Sequence, residues 1–146
     1  MKKVLFAFIL LLAGATVNAQ TIPYTNCTNC WAPDSLGNHR VVLTFNGSGK
    51  IAKAIIPWRR RDIDPEKKRI IIQDAKTLQK ITNVKIVSVN RETGEIYFEP
   101  TSGSGTYYVY YLPYKNEGRS NYPRGTYLKP ENTASSDWLD AVNSAG

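Results

Sequence analysis

The sequence predicts an all-β protein, most simply an antiparallel β-sandwich, from two observations. Residues 40–112 hold several short segments rich in β-branched and aromatic residues, and Gly and Asn turn formers separate them. Strands spaced roughly 8–12 residues apart in this way are typical of sandwiches and barrels. No long helical period interrupts the segments, which argues against a doubly wound α/β fold.

The first strands are predicted at residues 40–45 and 50–58, with a turn over 46–49, where Asn and Gly tolerate positive φ. Pro57 lacks an N–H and therefore indicates an edge or the end of a strand. Residues 59–68 form a charged connector, and the β-branched residues 69–73 predict a third strand.

Residues 74–81 fit either a short helix capped by Asp74 or a hairpin turn, and the surrounding strands favour the hairpin. Further strands are predicted at 83–91, 96–99 and 106–112. Val87 breaks the alternation of apolar and polar residues and indicates a bulge or burial on both faces.

Three segments lie outside this strand pattern. Residues 21–39 are polar and loop-like, and the prolines and glycines of 113–132 predict a long irregular loop. Residues 133–143 predict a short helix, capped by Ser135 or Ser136, with an apolar stripe. The stripe consists of Trp138, Leu139 and Val142.

Residues 1–19 read as a signal peptide. Lys2 and Lys3 precede an apolar run over 4–12, and small residues lead to a cleavage site before Gln20. The run is shorter than the ~20 residues that span a bilayer. A buried N-terminal helix is the less favoured alternative. We therefore expect export to the periplasm, the cell surface or the medium, with no stable membrane span.

Removal of residues 1–19 from the 146-residue chain leaves 127 residues, enough for one domain. We divide them into a polar lead-in, 20–39, and a β-sandwich domain, 40–146. The formal charge of +7 falls to about +5 without Lys2 and Lys3. This excess could attract an anionic partner such as an acidic polymer. Export disfavours nucleic acid, and a solvated basic surface is the simplest interpretation.

Cys27 and Cys30 are the two cysteines of the chain, in a C-x-x-C spacing. A redox pair should follow a strand and open a helix, whereas this pair lies among turn formers. A zinc site needs about four ligands, and His39 is the single histidine. A local disulfide, or two idle thiols, is favoured over redox or metal function.

Two groups of residues could contact a ligand or another domain. The first is Trp58 with Arg59, Arg60 and Arg61, because arginine forks bind carboxylates and phosphates. An ion-pair network with nearby acids is the favoured alternative. The second is aromatic: eight of nine tyrosines lie between Tyr97 and Tyr127. The second group comprises Tyr108 and Tyr110 on one strand face, with Tyr122 and Arg124 in the long loop. Packing is favoured over glycan binding for the tyrosines.

The sequence offers no catalytic constellation, metal site or cofactor motif. One histidine leaves no Ser/His/Asp or Cys/His arrangement, and most acidic residues lie in predicted turns. We therefore assign no catalytic residue and expect no cofactor.

Four motifs in order resemble the N-terminal domain of glycoside hydrolase family 123, over about residues 38–140. They are IPWRRRD (56–62), NRETGEIYFEP (90–100), GTYYVYYLPY (105–114) and EGRSNYPRGTYLKPE (117–131). Members are exported bacterial enzymes, many from Bacteroidetes. The resemblance implies a β-sandwich, and a family activity of β-N-acetylgalactosaminidase with substrate-assisted catalysis on a separate barrel domain.

In that family an adjacent Asp-Glu pair on the barrel performs the chemistry. No Asp-Glu dipeptide occurs in this chain, and a barrel of about 250 residues would not fit. The resemblance thus implies a truncated, non-catalytic module whose partner is a catalytic barrel domain in cis or in trans. The alternative is a free-standing secreted module that binds a carbohydrate or an acidic polymer.

Overall fold

The computed structural model describes residues 23–27 and 30–145, so the predicted signal peptide lies outside the described residues. Nine strands, two helices and one 3-10 turn, Pro65–Lys67, make up the described chain. The strands are β1 (Tyr24–Asn26), β2 (His39–Phe45), β3 (Ala52–Ile56), β4 (Ile71–Asp74), β5 (Val84–Val89), β6 (Gly94–Phe98), β7 (Gly105–Tyr110), β8 (Tyr114–Arg119) and β9 (Tyr122–Tyr127); the helices are α1 (Pro33–Leu36) and α2 (Ser136–Ala145).

The strands form three sheets, and every pairing within them is antiparallel. One sheet has the order β1-β2-β7-β4, the second has the order β3-β6-β5, and β8 pairs with β9. The prediction of an all-β, sandwich-like protein is therefore confirmed.

The core lies between the four-stranded and the three-stranded sheet. Alternation along β7 turns Tyr107 and Val109 inward, where both are fully buried, and Val109 lies opposite Val41 of β2. Ile96 and Phe98 of β6 are buried in the same cluster, and Phe98 packs against Tyr107 with ring centroids 5.1 Å apart. The rest of the buried cluster consists of Ala52, Ile56, Trp58, Ile72 and Ile81.

Two local predictions from the sequence are confirmed. The register of β5 against β6 shifts between Ile86 and Ser88, which places the predicted bulge at Val87. After β4 the chain turns back and pairs again through a bridge between Gln73 and Lys80. The Asp74 carboxylate accepts hydrogen bonds from two backbone N–H groups of this turn, those of Lys76 and Thr77.

Helix α2 packs on the domain through two residues of its predicted apolar stripe. The backbone N–H of Trp138 donates to the Ser135 hydroxyl at 3.4 Å, so Ser135 is the cap, one of the two residues predicted for this role. Trp138 and Val142 are buried, and the Trp138 indole donates to the Lys50 carbonyl at 3.2 Å. The helix begins three residues later than predicted, at Ser136.

The prediction of an irregular loop over 113–132 was wrong, because this stretch contains the hairpin of β8 and β9. Pro123 lies opposite Gly118 within it. A two-stranded hairpin tolerates a proline, since alternate residues turn their N–H groups away from the partner strand. The loop-like interpretation of 21–39 likewise missed β1 and α1, which are three and four residues long.

Gly94 on β6 approaches the Trp58 ring so closely that a Cβ at this position would overlap the indole. We expect Gly94→Ala to displace Trp58 and to lower the free energy of unfolding by about 1–3 kcal/mol, as overpacking does. Urea denaturation measures the loss. Gly103→Ala is unsuitable for comparison because of its positive φ, whereas Gly49→Ala meets only ordinary contacts and serves as the control. Equal stability of the Gly94 and Gly49 variants would contradict the expectation.

Candidate functional site

The segment that follows β3 alternates between buried and exposed side chains. Trp58 is 0% exposed and its indole N–H donates to the Asn90 carbonyl at 3.0 Å. Arg60 is buried as well, while Arg59 and Arg61 are exposed on either side of it. The backbone N–H of Arg60 donates to the Arg91 carbonyl at 2.9 Å and so holds the chain in place here.

Arg60 and Asp62 form a two-pronged ion pair. Nε and Nη2 of Arg60 donate to the two carboxylate oxygens at 2.9 and 2.8 Å, and Lys68 Nζ donates to Asp62 Oδ2 at 2.9 Å. The guanidinium also lies 5.0 Å from the Trp58 ring and 5.3 Å from the Tyr111 ring. The Arg60 side chain is thus fixed by charge, hydrogen bonds and rings together.

Arg60 and Lys68 determine the ionisation of Asp62. Burial alone would raise the pKa of this carboxyl, but hydrogen bonds and charge from Arg60 and Lys68 outweigh burial and lower the pKa to about 2. Asp62 is therefore ionised at neutral pH and is unsuited to donate a proton.

We expect acid to destabilise the protein partly through Asp62. Because its pKa is lower in the folded state, its contribution is complete above the unfolded value near 4 and is lost as the pH falls towards 2. The shift corresponds to about 2 kcal/mol. Unfolding free energies at pH 5 and pH 2.5 should therefore differ less in Asp62→Asn than in the unaltered protein. An identical pH dependence in both would contradict the role of the pair.

A cleft of about 410 Å³ opens between this segment and the base of the β8–β9 hairpin. A neighbouring cleft of about 340 Å³ shares Arg59 and Tyr111 with it, so the two lie side by side. We call the two clefts together the arginine groove. Its lining from the first cleft comprises His39, Arg59, Arg60, Arg61, Asp62, Tyr111, Leu112 and Tyr127; the second adds Tyr24 and Pro57.

His39 and Tyr111 meet in the groove with ring centroids 5.7 Å apart. Burial lowers the pKa of His39, the Asp62 charge opposes that change and Arg60 adds to it. Burial raises the pKa of the Tyr111 hydroxyl. At neutral pH both groups are uncharged, so the positive charge of the groove comes from its arginines.

The predicted tyrosine face of β7 is covered. Tyr110 is buried with its ring 5.6 Å from Trp31, and Tyr108 is half-buried under Arg40, whose guanidinium lies 4.0 Å from the Tyr108 ring. Arg40 also lies 4.5 Å from the Trp31 ring. These residues form a packed cation–π stack in place of an open platform.

Structure and sequence therefore divide the predicted contact residues into two sets. Trp58, Arg60 and Tyr110 are buried and pack against neighbouring residues, and Tyr108 is half-buried under Arg40; of these, Arg60 also lines the arginine groove. Arg59, Arg61, Tyr122 and Arg124 are exposed, and Tyr122 is 84% exposed. The sequence pattern missed Tyr24, His39, Tyr111 and Tyr127 as groove residues, because their strands are far apart along the chain.

Tyr122 and Arg124 lie on the β8–β9 hairpin, apart from the groove. Residues 115–127 are all exposed, so the hairpin projects from the domain. It is attached at its base, where the Arg69 N–H donates to the Leu128 carbonyl at 2.8 Å, and by Asn116, which bonds the Asp34 carboxylate of α1.

Cys27 and Cys30 form a disulfide with a Cα–Cα distance of 5.7 Å. It closes the short connection between β1 and α1. Across residues 23–27 and 30–145, no group of three or more His, Cys, Asp or Glu side chains could hold a metal ion. Within the same ranges, no helix is long and apolar enough to cross a membrane.

Fold and groove together define the class of protein: a sandwich-like, all-β module that presents arginine and tyrosine side chains along a surface groove. The chain belongs to the glycoside hydrolase 123 N-terminal domain family, whose sequence model matches residues 29–146. It is thus a glycoside hydrolase module, and its family implies a catalytic domain as partner. No curated protein and no solved structure matches the chain significantly.

Proposed function

We propose that this chain is the non-catalytic N-terminal module of an exported glycoside hydrolase with β-N-acetylgalactosaminidase activity, and that it supports a separate catalytic domain. Family membership is the observation that carries the proposal. The chemistry would then belong to the partner domain, and the module would contribute a folded surface.

Three acidic side chains have partners within the fold that lower their pKa values. A glycosidase acid needs a carboxyl whose pKa is raised. In Asp62 and Asp74 burial would raise the pKa, but hydrogen bonds outweigh it and lower the pKa of both. Hydrogen bonding to Lys80 likewise lowers the pKa of Glu131. These three groups act as ion-pair and hydrogen-bond partners within the fold.

The β8–β9 hairpin supports contact with another domain. An isolated two-stranded hairpin is marginally stable in water, and this one exposes every residue from 115 to 127. Its tip carries the exposed Tyr122 next to Arg119 and Arg124. Tyr and Arg are enriched at protein interfaces, so the hairpin is the surface on which we place the catalytic domain.

Two measurements test the proposal. Purified residues 20–146 should not hydrolyse a chromogenic β-N-acetylgalactosaminide, and turnover by this chain alone would refute a non-catalytic role. An antibody against the chain should detect either a protein several times larger or a chain-sized protein that co-purifies with β-N-acetylgalactosaminidase activity. A chain-sized protein without associated activity would contradict the supporting role.

We also expect the catalytic domain to protect the hairpin from proteolysis. In isolated residues 20–146, trypsin should cut early after Arg119, since that backbone is exposed. In the complete enzyme the same cut should slow at least tenfold. Cleavage after Lys76, in the exposed turn that follows β4, is the internal control and should not change. Equal cutting at both sites in the two samples would place the catalytic domain elsewhere.

A further inference from the structure

The arginine groove carries positive charge that the fold does not neutralise. Both oxygens of Asp62 are engaged by Arg60 and Lys68. Among the described residues, Arg59 and Arg61 make no ion pair, and both are exposed in the groove. Two guanidinium groups without an ion-pair partner, on residues separated by Arg60 alone, are well suited to bind carboxylates.

Arg60 fixes the position of the backbone that carries Arg59 and Arg61. Its side chain is 0% exposed and its backbone N–H is bonded to Arg91, so the segment that carries Arg59 and Arg61 is anchored between them. Among the described atoms, Arg60 Nη1 is buried without a hydrogen-bond partner. The anchor reduces the conformational entropy that binding would otherwise remove.

Aromatic rings accompany the charge. Tyr24 at one end of the groove and Tyr127 at the other are 47% and 48% exposed, and Tyr111 lies between them. A pyranose ring presents apolar C–H groups on its faces, which pack on aromatic side chains. Arginine side chains alone could bind any acidic polymer. Arginine side chains next to exposed tyrosine rings are better suited to a sugar that carries a carboxylate.

We propose that the arginine groove binds an oligosaccharide containing uronic acid, with carboxylates on Arg59 and Arg61 and sugar rings on Tyr24 and Tyr127. This goes beyond the proposed function, because such binding needs no catalytic domain and leaves the β8–β9 hairpin tip free. It would hold the module, and whatever it is joined to, on an acidic glycan.

Calorimetric titration of residues 20–146 with trigalacturonate at 50 mM salt tests the proposal. Saturable binding is expected, at least tenfold tighter than that of neutral galactotriose. Poly-L-glutamate, compared per carboxylate, should also bind at least tenfold more weakly. Absence of trigalacturonate binding, or equal affinity for either comparison ligand, would overturn the proposal.

Matched variants separate the groove from general charge. Arg59→Ala with Arg61→Ala should weaken trigalacturonate binding at least tenfold, whereas Lys50→Ala with Lys76→Ala removes the same charge from exposed sites outside the groove and should change affinity less than twofold. Tyr127→Leu should weaken trigalacturonate binding several-fold. Thermal melts establish that each variant is folded. Equal effects of the two charge-removing pairs, or full affinity in Tyr127→Leu, would refute the assignment.

Discussion

Trp58→Ala should lower the free energy of unfolding by about 3–5 kcal/mol, the usual cost of truncating a fully buried aromatic side chain. Trp58 is 0% exposed and is in contact with Gly94 of the second sheet. Truncation would open a cavity, leave the Asn90 carbonyl without its indole donor and remove one of the two rings against Arg60. Urea denaturation of residues 20–146 measures the loss.

Ile55→Ala is the matched control for this variant. Ile55 lies three residues earlier, in β3, but is 61% exposed, so its truncation should change stability by no more than about 0.5 kcal/mol. Trp58→Phe should fall between the two, because a smaller ring fills part of the space. A loss below 1 kcal/mol in Trp58→Ala would show that the ring is not part of the core.

Asp62→Ala should also lower the free energy of unfolding by about 3–5 kcal/mol, for an electrostatic reason. Removal of one partner leaves the Arg60 guanidinium buried without a counter-charge, and this costs far more than the loss of an exposed pair. Urea denaturation of residues 20–146 at neutral pH measures this loss of unfolding free energy.

Asp64→Asn is the control for the loss of a neighbouring carboxylate. Asp64 pairs with Lys67 at 3.1 Å, but both side chains are more than half exposed, so little change is expected. Asparagine also tolerates the φ of 52° at this position. Arg60→Met combined with Asp62→Leu should recover part of the loss, since it removes the buried charge as well. A double variant no more stable than Asp62→Ala would argue against an unpaired charge as the cause.

Trp58→Ala and Asp62→Ala both alter inward-facing residues of one short segment. In the segment Trp58–Asp62, buried Trp58 and Arg60 and partly buried Asp62 stabilise the fold, while exposed Arg59 and Arg61 face the arginine groove. Buried and exposed side chains alternate along this segment because it continues the in-out alternation of β3. Variants at Arg59 and Arg61 can therefore test binding without loss of the core.

The sequence by itself determined the fold class and most strand positions, because these depend on local pattern and turn chemistry. It reduced Val87 to a bulge or burial on both faces and the helix cap to Ser135 or Ser136, and the structure has the bulge and the Ser135 cap. The sequence did not predict the β8–β9 hairpin, because Pro123, Gly118 and Gly125 resemble loop residues in the sequence alone. A proline is tolerated in a paired strand where its position needs no N–H. The sequence also did not separate Arg59 from Arg60, whose residue types are the same.

Only the tertiary structure decided which arginine is buried and which rings lie beside the exposed ones. Tyr24, His39, Tyr111 and Tyr127 reach the arginine groove from separate parts of the chain, brought together by the pairing of β1, β2 and β7 and by the return of β9 to the domain. Such contacts depend on long-range strand pairing, which local residue patterns do not encode. The family and its strands follow from the sequence, whereas the groove exists only in the folded protein.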